Sequence, residues 1–186
     1  MSCFIALGAN KCQADGTSPA QTLRAALADV DALPSTALMA ASGLYQSAPL
    51  GPGRQRPYVN AVAGVDTDLS AADFMGHLHS IEAKYGRARS GIWHARRLDL
   101  DIVDYAADVT PQWQRQARRM WPPRAIGFSS TPLTLPHPRA HQRAFVLLPL
   151  HELCPNWLHP VFQVTVARLI KGQALLGIRR LGPLTL

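Results

Sequence analysis

The sequence predicts an α+β fold in which helices pack on an antiparallel sheet. The first observation behind this prediction is periodicity: segments with alternating apolar residues are interspersed with segments whose apolar residues recur at helical spacing. The second observation is their order, which is strand, helix, two strands, helix and strand. A length of 186 residues is also enough for one domain with a substantial core.

The first half of the chain supplies three predicted strands and one predicted helix. Residues 3–8 are predicted as the first strand, and residues 18–33 as an amphipathic helix that opens with a Ser-Pro N-terminal signal. Residues 37–46 are predicted as the second strand. After a loop rich in Pro, Gly and Arg, residues 58–66 alternate as the third strand.

The second half completes the pattern and adds an extension. Residues 70–86 predict a second helix, and residues 96–105 a fourth strand, which gives the βαββαβ order of a ferredoxin-like sheet. Residues 106–132 have no sustained period and predict a surface insertion. A C-terminal extension includes a final helix at about 163–171. We expect residues 1–186 to form a single domain.

Composition narrows the class of protein. Hydrophobic residues make up 47% of the chain, yet we find no apolar run of the ~18 residues that a membrane span needs. The N-terminal residues lack the basic region of a signal peptide. The three cysteines are odd in number and include no C-x-x-C motif, so a disulfide framework is not expected. The sequence therefore predicts a protein of the reducing cytoplasm.

Positive charge is concentrated in residues 84–143. This segment holds eleven of the nineteen Lys and Arg residues and four acidic residues, so it carries the whole net charge of +7. All but one of the eleven are arginine, whose guanidinium fork matches phosphate oxygens. The pattern favours a polyanionic partner, either a nucleotide or a nucleic acid. The alternative is a solvated basic face in an arginine-rich protein.

Two aspartates in the fourth strand are the leading candidates for chemistry. Strand periodicity places Asp99 and Asp101 on one face and Leu98, Leu100 and Ile102 on the other. Neighbouring carboxylates repel unless a cation or a shared proton relieves them. Such a pair suits Mg²⁺, which takes one or two carboxylates plus substrate phosphates and water. The alternative is a solvated strand face.

Two further features would support a ligand site. His137 lies between two prolines, and Arg143 follows it six residues later, so the pair could contact phosphate. Asn60 interrupts an apolar strand, and a polar amide at such a position should have partners or face a pocket. The alternatives are a structural histidine and an asparagine satisfied by a neighbouring loop.

Several runs resemble, in order and spacing, the 6-hydroxymethyl-7,8-dihydropterin pyrophosphokinase family. They are ALGAN, SGLYQSAPLGPGRQRPYVNAVAGVDT, IEAKYGRAR, WHARRLDLDIVDY and LTLPHPRAHQRAFVLLPLHELCP. The resemblance spans residue 3 to about 170. It implies an enzyme of folate biosynthesis that transfers pyrophosphate from ATP to 6-hydroxymethyl-7,8-dihydropterin, with two Mg²⁺ ions and release of AMP. It implies these two small molecules as partners, rather than nucleic acid or membrane, and a monomer.

The resemblance also implies a set of site residues. The metal would be held by Asp99 and Asp101, which would act in catalysis with Arg87 and Arg96. The nucleotide would contact His79, Glu82, Arg89, Trp93, Ile102, Thr134, His137 and Arg143. The pterin would contact Ser47, Leu50, Tyr58, Asn60, Trp93 and Phe145, with Phe145 stacking on the ring.

The chain departs from the family pattern at three places. His94 and Ala95 stand where a Gly-Pro pair is usual, and Pro132 stands where a basic residue is frequent. The 35 residues between Asp101 and His137 are more than compact members have. No function follows from this insertion, which includes Trp113, Trp121 and four arginines.

Two other classes of protein are alternatives. An RNA-binding or single-strand-binding module on a ferredoxin-like sheet would carry aromatic and basic residues on its central strands, where this sequence has acidic ones. A non-catalytic relative is disfavoured because the aspartate pair, the arginines and His137 occur together. The absence of a G-x-x-x-x-G-K motif excludes a P-loop kinase.

Overall fold

A computed structural model describes residues 3–49, 55–86, 95–111, 113 and 133–184. The strands are β1 (Cys3–Ala9), β2 (Thr36–Ala41), β3 (Leu44–Ser47), β4 (Tyr58–Thr67), β5 (Asp99–Tyr105) and β6 (Arg179–Gly182). The helices are α1 (Pro19–Asp31), α2 (Ala71–Lys84), α3 (Ala144–Leu153) and α4 (Val166–Lys171). A short 3-10 helix, Ala140–Gln142, precedes α3.

The strands form an antiparallel sheet in the order β5-β1-β4-β3-β6, and β2 also pairs with β4. The order β5-β1-β4-β3 is that of the ferredoxin-like fold, because β1 lies between the third and fourth strands of the repeat. The predicted α+β class is therefore confirmed. β6 and α4 form the predicted C-terminal extension.

The single strand predicted at residues 37–46 is wrong, since the segment forms β2 and β3. The break falls at Ser42 and Gly43. The Ser42 hydroxyl accepts a hydrogen bond from the Val62 amide at 3.0 Å. A Cβ at Gly43 would stand 2.8 Å from the Gly182 carbonyl oxygen, so only glycine allows this close approach. The chain thus bends between two strands that share the edge of β4.

The sheet is buried on both faces. On one face, α1 and α2 pack over alternate strand residues such as Ile5, Leu7 and Leu100. On the other face, α3 and α4 cover a second cluster that includes Phe4 and Val62. Capping follows the sequence signals: Ser18 begins α1 with a capping box, and Ser70 begins α2. No helix in the described ranges is long and apolar enough to cross a membrane.

The outer edge of β5 is covered by groups that fix its position. Glu82 of α2 is buried, and its carboxylate accepts a hydrogen bond of 2.7 Å from the amide of Leu100. On the same strand, the Val103 carbonyl accepts a bond of 2.9 Å from the amide of His137. These bonds satisfy an edge that would otherwise expose unpaired backbone groups.

Trp113 is one of the described residues within the predicted surface insertion at residues 106–132. Its side chain is fully buried, and its indole N–H donates to the carbonyl of Pro136 at 2.6 Å. The ring makes edge-to-face contacts with His141, His159 and Phe162. A buried indole that finds a backbone acceptor adds apolar packing without losing a hydrogen bond. Residues 112 and 114–132, including Trp121, lie outside the described residues.

We expect His159 to make the protein sensitive to acid. Its ring is fully buried, its Nδ1 accepts from the amides of Val161 and Phe162, and burial, followed by His141, lowers its pKa to about 3. The unfolded chain binds a proton below about pH 6.5. The contribution of His159 to stability is therefore complete above that pH and is lost as the pH falls from about 6.5 toward 3.

The test is His159→Asn, whose Oδ1 can accept the same two bonds. At pH 7 the variant should lose about 1–2 kcal/mol of unfolding free energy through poorer packing. Between pH 7 and 5, however, urea unfolding should show a smaller loss for the variant than for the wild type. His77→Asn, at a partly exposed site, is the control. Equal pH dependence of wild type and His159→Asn would refute the assignment.

Candidate active site

The pairing of β1 with β4 and β5 brings the residues of the candidate site together. Gly8 lies opposite Asp99 of β5 on one side and opposite Asn60 of β4 on the other. Asn60 in turn lies opposite Tyr45 of β3. Directly opposed residues of antiparallel strands share a face. One row across the sheet therefore carries a carboxylate, an open glycine position and an amide.

The two aspartates of β5 lie on this face, as the strand period predicts. Asp101 is opposite Ala6, and the side chains of Asp99 and Asp101 are 24% and 33% exposed. The aliphatic side chains at Leu98, Leu100 and Ile102 are buried on the opposite face. The strand thus presents two half-buried carboxylates while its apolar residues anchor it to the core.

Arg96 is fixed by its backbone as well as by its charge. Its guanidinium forms an ion pair with Asp99. Burial acts to lower the pKa of Arg96, but Asp99 and then Asp101 outweigh it and raise the pKa. The buried Asn10 accepts from the Arg96 amide at 2.7 Å and donates to the Arg56 carbonyl at 3.2 Å. Asn10 therefore ties the segment before β5 to the segment before β4.

The loop before α3 brings further groups to Asp101. His137 Nε2 lies 3.8 Å from the Asp101 carboxylate, and Arg143 Nη1 lies 3.9 Å from the same oxygen. The amide of Arg139 donates to His137 Nδ1 at 3.0 Å, so the neutral ring carries its proton on Nε2. Burial, and next the charge of Arg143, lowers the pKa of His137 to about 3. His137 therefore acts as a neutral hydrogen-bond donor.

Asn60 is held in one orientation. Its Nδ2 donates to the Tyr45 carbonyl at 3.2 Å and to the Ser47 hydroxyl at 3.0 Å. Because a carbonyl only accepts, the amino group must face β3. The amide oxygen then faces the row at Gly8, where an added Cβ would lie 3.5 Å from it. The Asn60 side chain therefore has the hydrogen-bond partners that were predicted, and its amide oxygen faces a pocket.

These groups surround one cavity of about 190 Å³. Since a water molecule takes about 30 Å³ of the liquid, the space would hold a ring-sized ligand. The lining comprises Ala6, Leu7, Gly8, Ser47, Ala48, Tyr58, Asn60, Ala61, Arg96, Asp99, Asp101, Arg139, Arg143, Phe145 and Val146. One end is charged, and the other combines an aromatic wall with the fixed amide.

Most of the described candidates line this cavity, but five do not, and one of these, His137, lies beside it at 3.8 Å from Asp101. His79 is exposed on α2, and Glu82 is buried with its carboxylate on the Leu100 amide. Ile102 points into the core of the opposite face, so only its backbone could contact a nucleotide there. Thr134 is buried. The candidates Leu50, Arg87, Arg89 and Trp93 lie outside the described residues.

Three residues at or beside the cavity were missed from the sequence. Gly8 leaves open space on the face of the sheet, and this space can be recognised only when the pairing of β1 is known. Asn10 acts on Arg96 across 86 positions of sequence. Arg139 lines the cavity, and the single sequence signal for it is its place two residues after His137 within the basic segment.

The carboxylate pair is the described group best suited to a cation. Among the residues that the structure describes, no three His, Cys, Asp or Glu side chains are grouped to hold a metal on their own. Two carboxylates are nevertheless enough for Mg²⁺ when substrate phosphates and water complete its shell. The adjoining arginines suit phosphate oxygens. The charged end can therefore bind a polyphosphate together with its metal.

Comparison with known sequences identifies the family. The family model described as 7,8-dihydro-6-hydroxymethylpterin-pyrophosphokinase (HPPK) matches residues 4–155. The chain is 34% identical to 2-amino-4-hydroxy-6-hydroxymethyldihydropteridine pyrophosphokinase of Haemophilus influenzae over 171 residues, which cover 92% of each protein. It is 37% identical over 153 residues to the protein of that name from Pseudomonas aeruginosa, covering 82% of this chain and 80% of the relative.

Solved structures agree in fold. A crystal structure of an HPPK-DHPS in complex with substrates matches with a TM-score of 0.63 at 12% identity, over 91% of this chain and 44% of that one. The wild-type HPPK-DHPS of Plasmodium falciparum with SDX-DHP gives 0.61 at 14% identity, over 91% and 43%. The chain thus spans less than half the length of these proteins. From the family model and the two bacterial relatives, the chain belongs to the 7,8-dihydro-6-hydroxymethylpterin-pyrophosphokinase family and is a pyrophosphokinase.

Proposed function

We propose that the protein transfers a pyrophosphoryl group from ATP to the hydroxymethyl group of 6-hydroxymethyl-7,8-dihydropterin, with Mg²⁺ and with release of AMP, in folate biosynthesis. The observation that carries this proposal is the shared cavity. Its charged end holds two carboxylates and three arginines, and its other end holds the oriented amide of Asn60. Residues 1–186 would act as one domain on these two small molecules.

The carboxylate pair would hold two Mg²⁺ ions with the nucleotide. Asp99 and Asp101 fit this task because both are partly exposed on one strand face and each lies beside a cationic group. Hard oxygen donors of this kind are the ligands that Mg²⁺ prefers. When bound, the ions neutralise charge on the phosphate oxygens.

The chain's own cations would orient the triphosphate. Arg96 and Arg143 have fork-shaped donors at the Asp99 and Asp101 end, and Arg139 adds a third guanidinium to the cavity wall. His137 would donate from Nε2 without changing its charge. Donors fixed before the substrate arrives stabilise a phosphoryl-transfer transition state without further rearrangement.

The amide end would recognise the pterin. Asn60 has committed both amino hydrogens to β3, so its oxygen can accept from an N–H group of the pterin ring. Phe145 and Tyr58 supply aromatic surface, and burial raises the pKa of the Tyr58 phenol, which keeps it neutral. A ring bound between these groups would direct its hydroxymethyl substituent toward the charged end.

The reaction then needs positioning more than a strong base. The hydroxymethyl oxygen forms a bond to the β-phosphorus of ATP and the hydroxyl proton is released. The bond between the β-phosphorus and the oxygen bridging to the α-phosphate breaks, and AMP leaves. Arg96, Arg143 and His137 would hold the phosphates in line for this displacement.

The decisive experiment separates the nucleotides after incubating the protein with ATP, Mg²⁺ and 6-hydroxymethyl-7,8-dihydropterin. AMP formed in step with pterin consumption is expected. Formation of ADP would mean transfer of a single phosphoryl group, and AMP formed equally well without pterin would mean hydrolysis. Either result would overturn the proposal.

Asp101→Asn should lower kcat by at least about 100-fold, because it removes a charge that the metal requires while keeping the shape of the side chain. The far-ultraviolet circular dichroism spectrum should not change, since Asp101 is one-third exposed. Asp68→Asn, an exposed carboxylate just beyond the far end of β4, is the matched control and should keep full activity. An Asp101→Asn enzyme with near-normal Mg²⁺-dependent turnover would show that the metal is held elsewhere.

Gly8 should determine how the pterin fits. An added Cβ would make ordinary contacts, 3.5 Å to Asn60 Oδ1 and 3.9 Å to Tyr58 Cδ1, so Gly8→Ala should fold and gain about 0.5 kcal/mol in stability. Gly8→Val should raise the KM for pterin by about tenfold or more because its methyl groups enter the cavity. Thermal unfolding and steady-state kinetics check both effects. Unchanged pterin KM in Gly8→Val would place the ring elsewhere.

A further inference from the structure

One carboxylate outside the cavity links three segments of the fold. Glu152, near the end of α3, accepts from the Tyr45 hydroxyl at 2.7 Å and from the Gly43 amide at 3.2 Å. The guanidinium of Arg180 in β6 donates to the same carboxylate at 2.8 Å. Helix α3, strand β3 and strand β6 therefore meet at Glu152.

The charge states in this cluster are well defined. The hydrogen bond from Arg180 is the main influence that lowers the pKa of Glu152. Burial, followed by the bond to Glu152, raises the pKa of Tyr45 to about 12. The carboxylate thus remains an anion and the phenol remains a donor. The position of Gly43 reinforces the contact, because an added Cβ would lie 2.8 Å from both Arg180 and the Gly182 carbonyl oxygen.

The segments that Glu152 joins are those that form the amide end of the cavity. Helix α3 contributes Phe145 and Val146 to the lining. Strand β3 contributes Ser47, whose hydroxyl orients Asn60, and the Tyr45 carbonyl, which accepts from the same amide. Tyr45 therefore bonds to the helix through its side chain and to Asn60 through its backbone.

The helix needs this outer attachment. Phe145 and Glu152 are seven residues apart, which is about 10 Å along a helix. Pro149 lies between them and cannot donate the backbone bond that would normally reach the carbonyl of Phe145. Since the helical ladder is interrupted there, contacts at both ends of α3 determine how the helix lies over the sheet.

We propose that Glu152 is a positioning residue that fixes the spacing between α3 and β3, and thereby the width of the slot that receives the pterin ring. This inference rests on the proposed function. In this proposal, the cluster of Glu152, Tyr45 and Arg180 affects binding of the pterin and not binding of the nucleotide. At the charged end, Arg96 and His137 are held independently of α3, by the Asn10 bond to the Arg96 amide and by the His137 bond to Val103.

The test compares Glu152→Gln with Tyr45→Phe, which removes only the phenolic donor. Both variants should raise the KM for pterin about three- to tenfold while kcat and the KM for ATP change less than twofold. The double variant should show less than the sum of the two single effects, because Glu152 and Tyr45 share one hydrogen bond. Such a split between the two substrates is a result that a general loss of stability would not produce.

Lys84→Gln is the matched control. It removes an ion pair of similar exposure, 2.7 Å to Asp29, that joins α2 to α1 on the opposite face of the sheet. Its melting temperature should fall as in Glu152→Gln, with both KM values unchanged. Glu152→Gln and Tyr45→Phe enzymes with normal pterin KM, or with equal changes in both KM values, would overturn the positioning role. A wild-type enzyme that forms no AMP would instead overturn the proposed function.

Discussion

The site depends on the pairing of β1 between β4 and β5. This register sets Gly8 between Asp99 and Asn60, and since neighbouring strands are about 4.8 Å apart, the backbones of those two residues lie about 10 Å apart. A slip of β5 by one residue would turn both carboxylates into the core and expose its leucines. The buried side chains of Leu98, Leu100 and Ile102 therefore hold the carboxylates in the cavity.

The charged groups are in turn positioned mainly by backbone bonds. Arg96 is tied through its amide to Asn10, and His137 through its amide to the carbonyl of Val103 and through its ring to the amide of Arg139. The contacts of Asp101 with His137 and Arg143 alone would give little rigidity, because their distances of 3.8 and 3.9 Å are longer than a hydrogen bond. Backbone anchors allow the same side chains to accept a substrate without reorganising.

The sequence was informative where the signal is local. A period of two residues is enough to put Asp99 and Asp101 on one face, and the amide interrupting an apolar strand marked Asn60. Sequence-based prediction failed for features that depend on contacts between residues far apart in the chain. The bend at Gly43 depends on the carbonyl of Gly182, the contribution of Asn10 depends on a bond across 86 residues, and the burial of Trp113 depends on a loop that returns to it. Such contacts leave no periodic pattern, because their partners are distant in the chain.

The electrostatics of the charged end explain why it should attract a polyphosphate. Burial lowers the pKa of Arg143, and the attraction of Asp101 at 3.9 Å does not offset this effect. Burial likewise keeps His137 neutral. The cationic form of Arg143 thus lies in surroundings that do not fully compensate it, a feature that concentrates at functional sites. Phosphate oxygens within hydrogen-bond range of Arg143 would supply the missing compensation. Binding of an anionic substrate would therefore offset the unfavourable burial of the positive charge on Arg143.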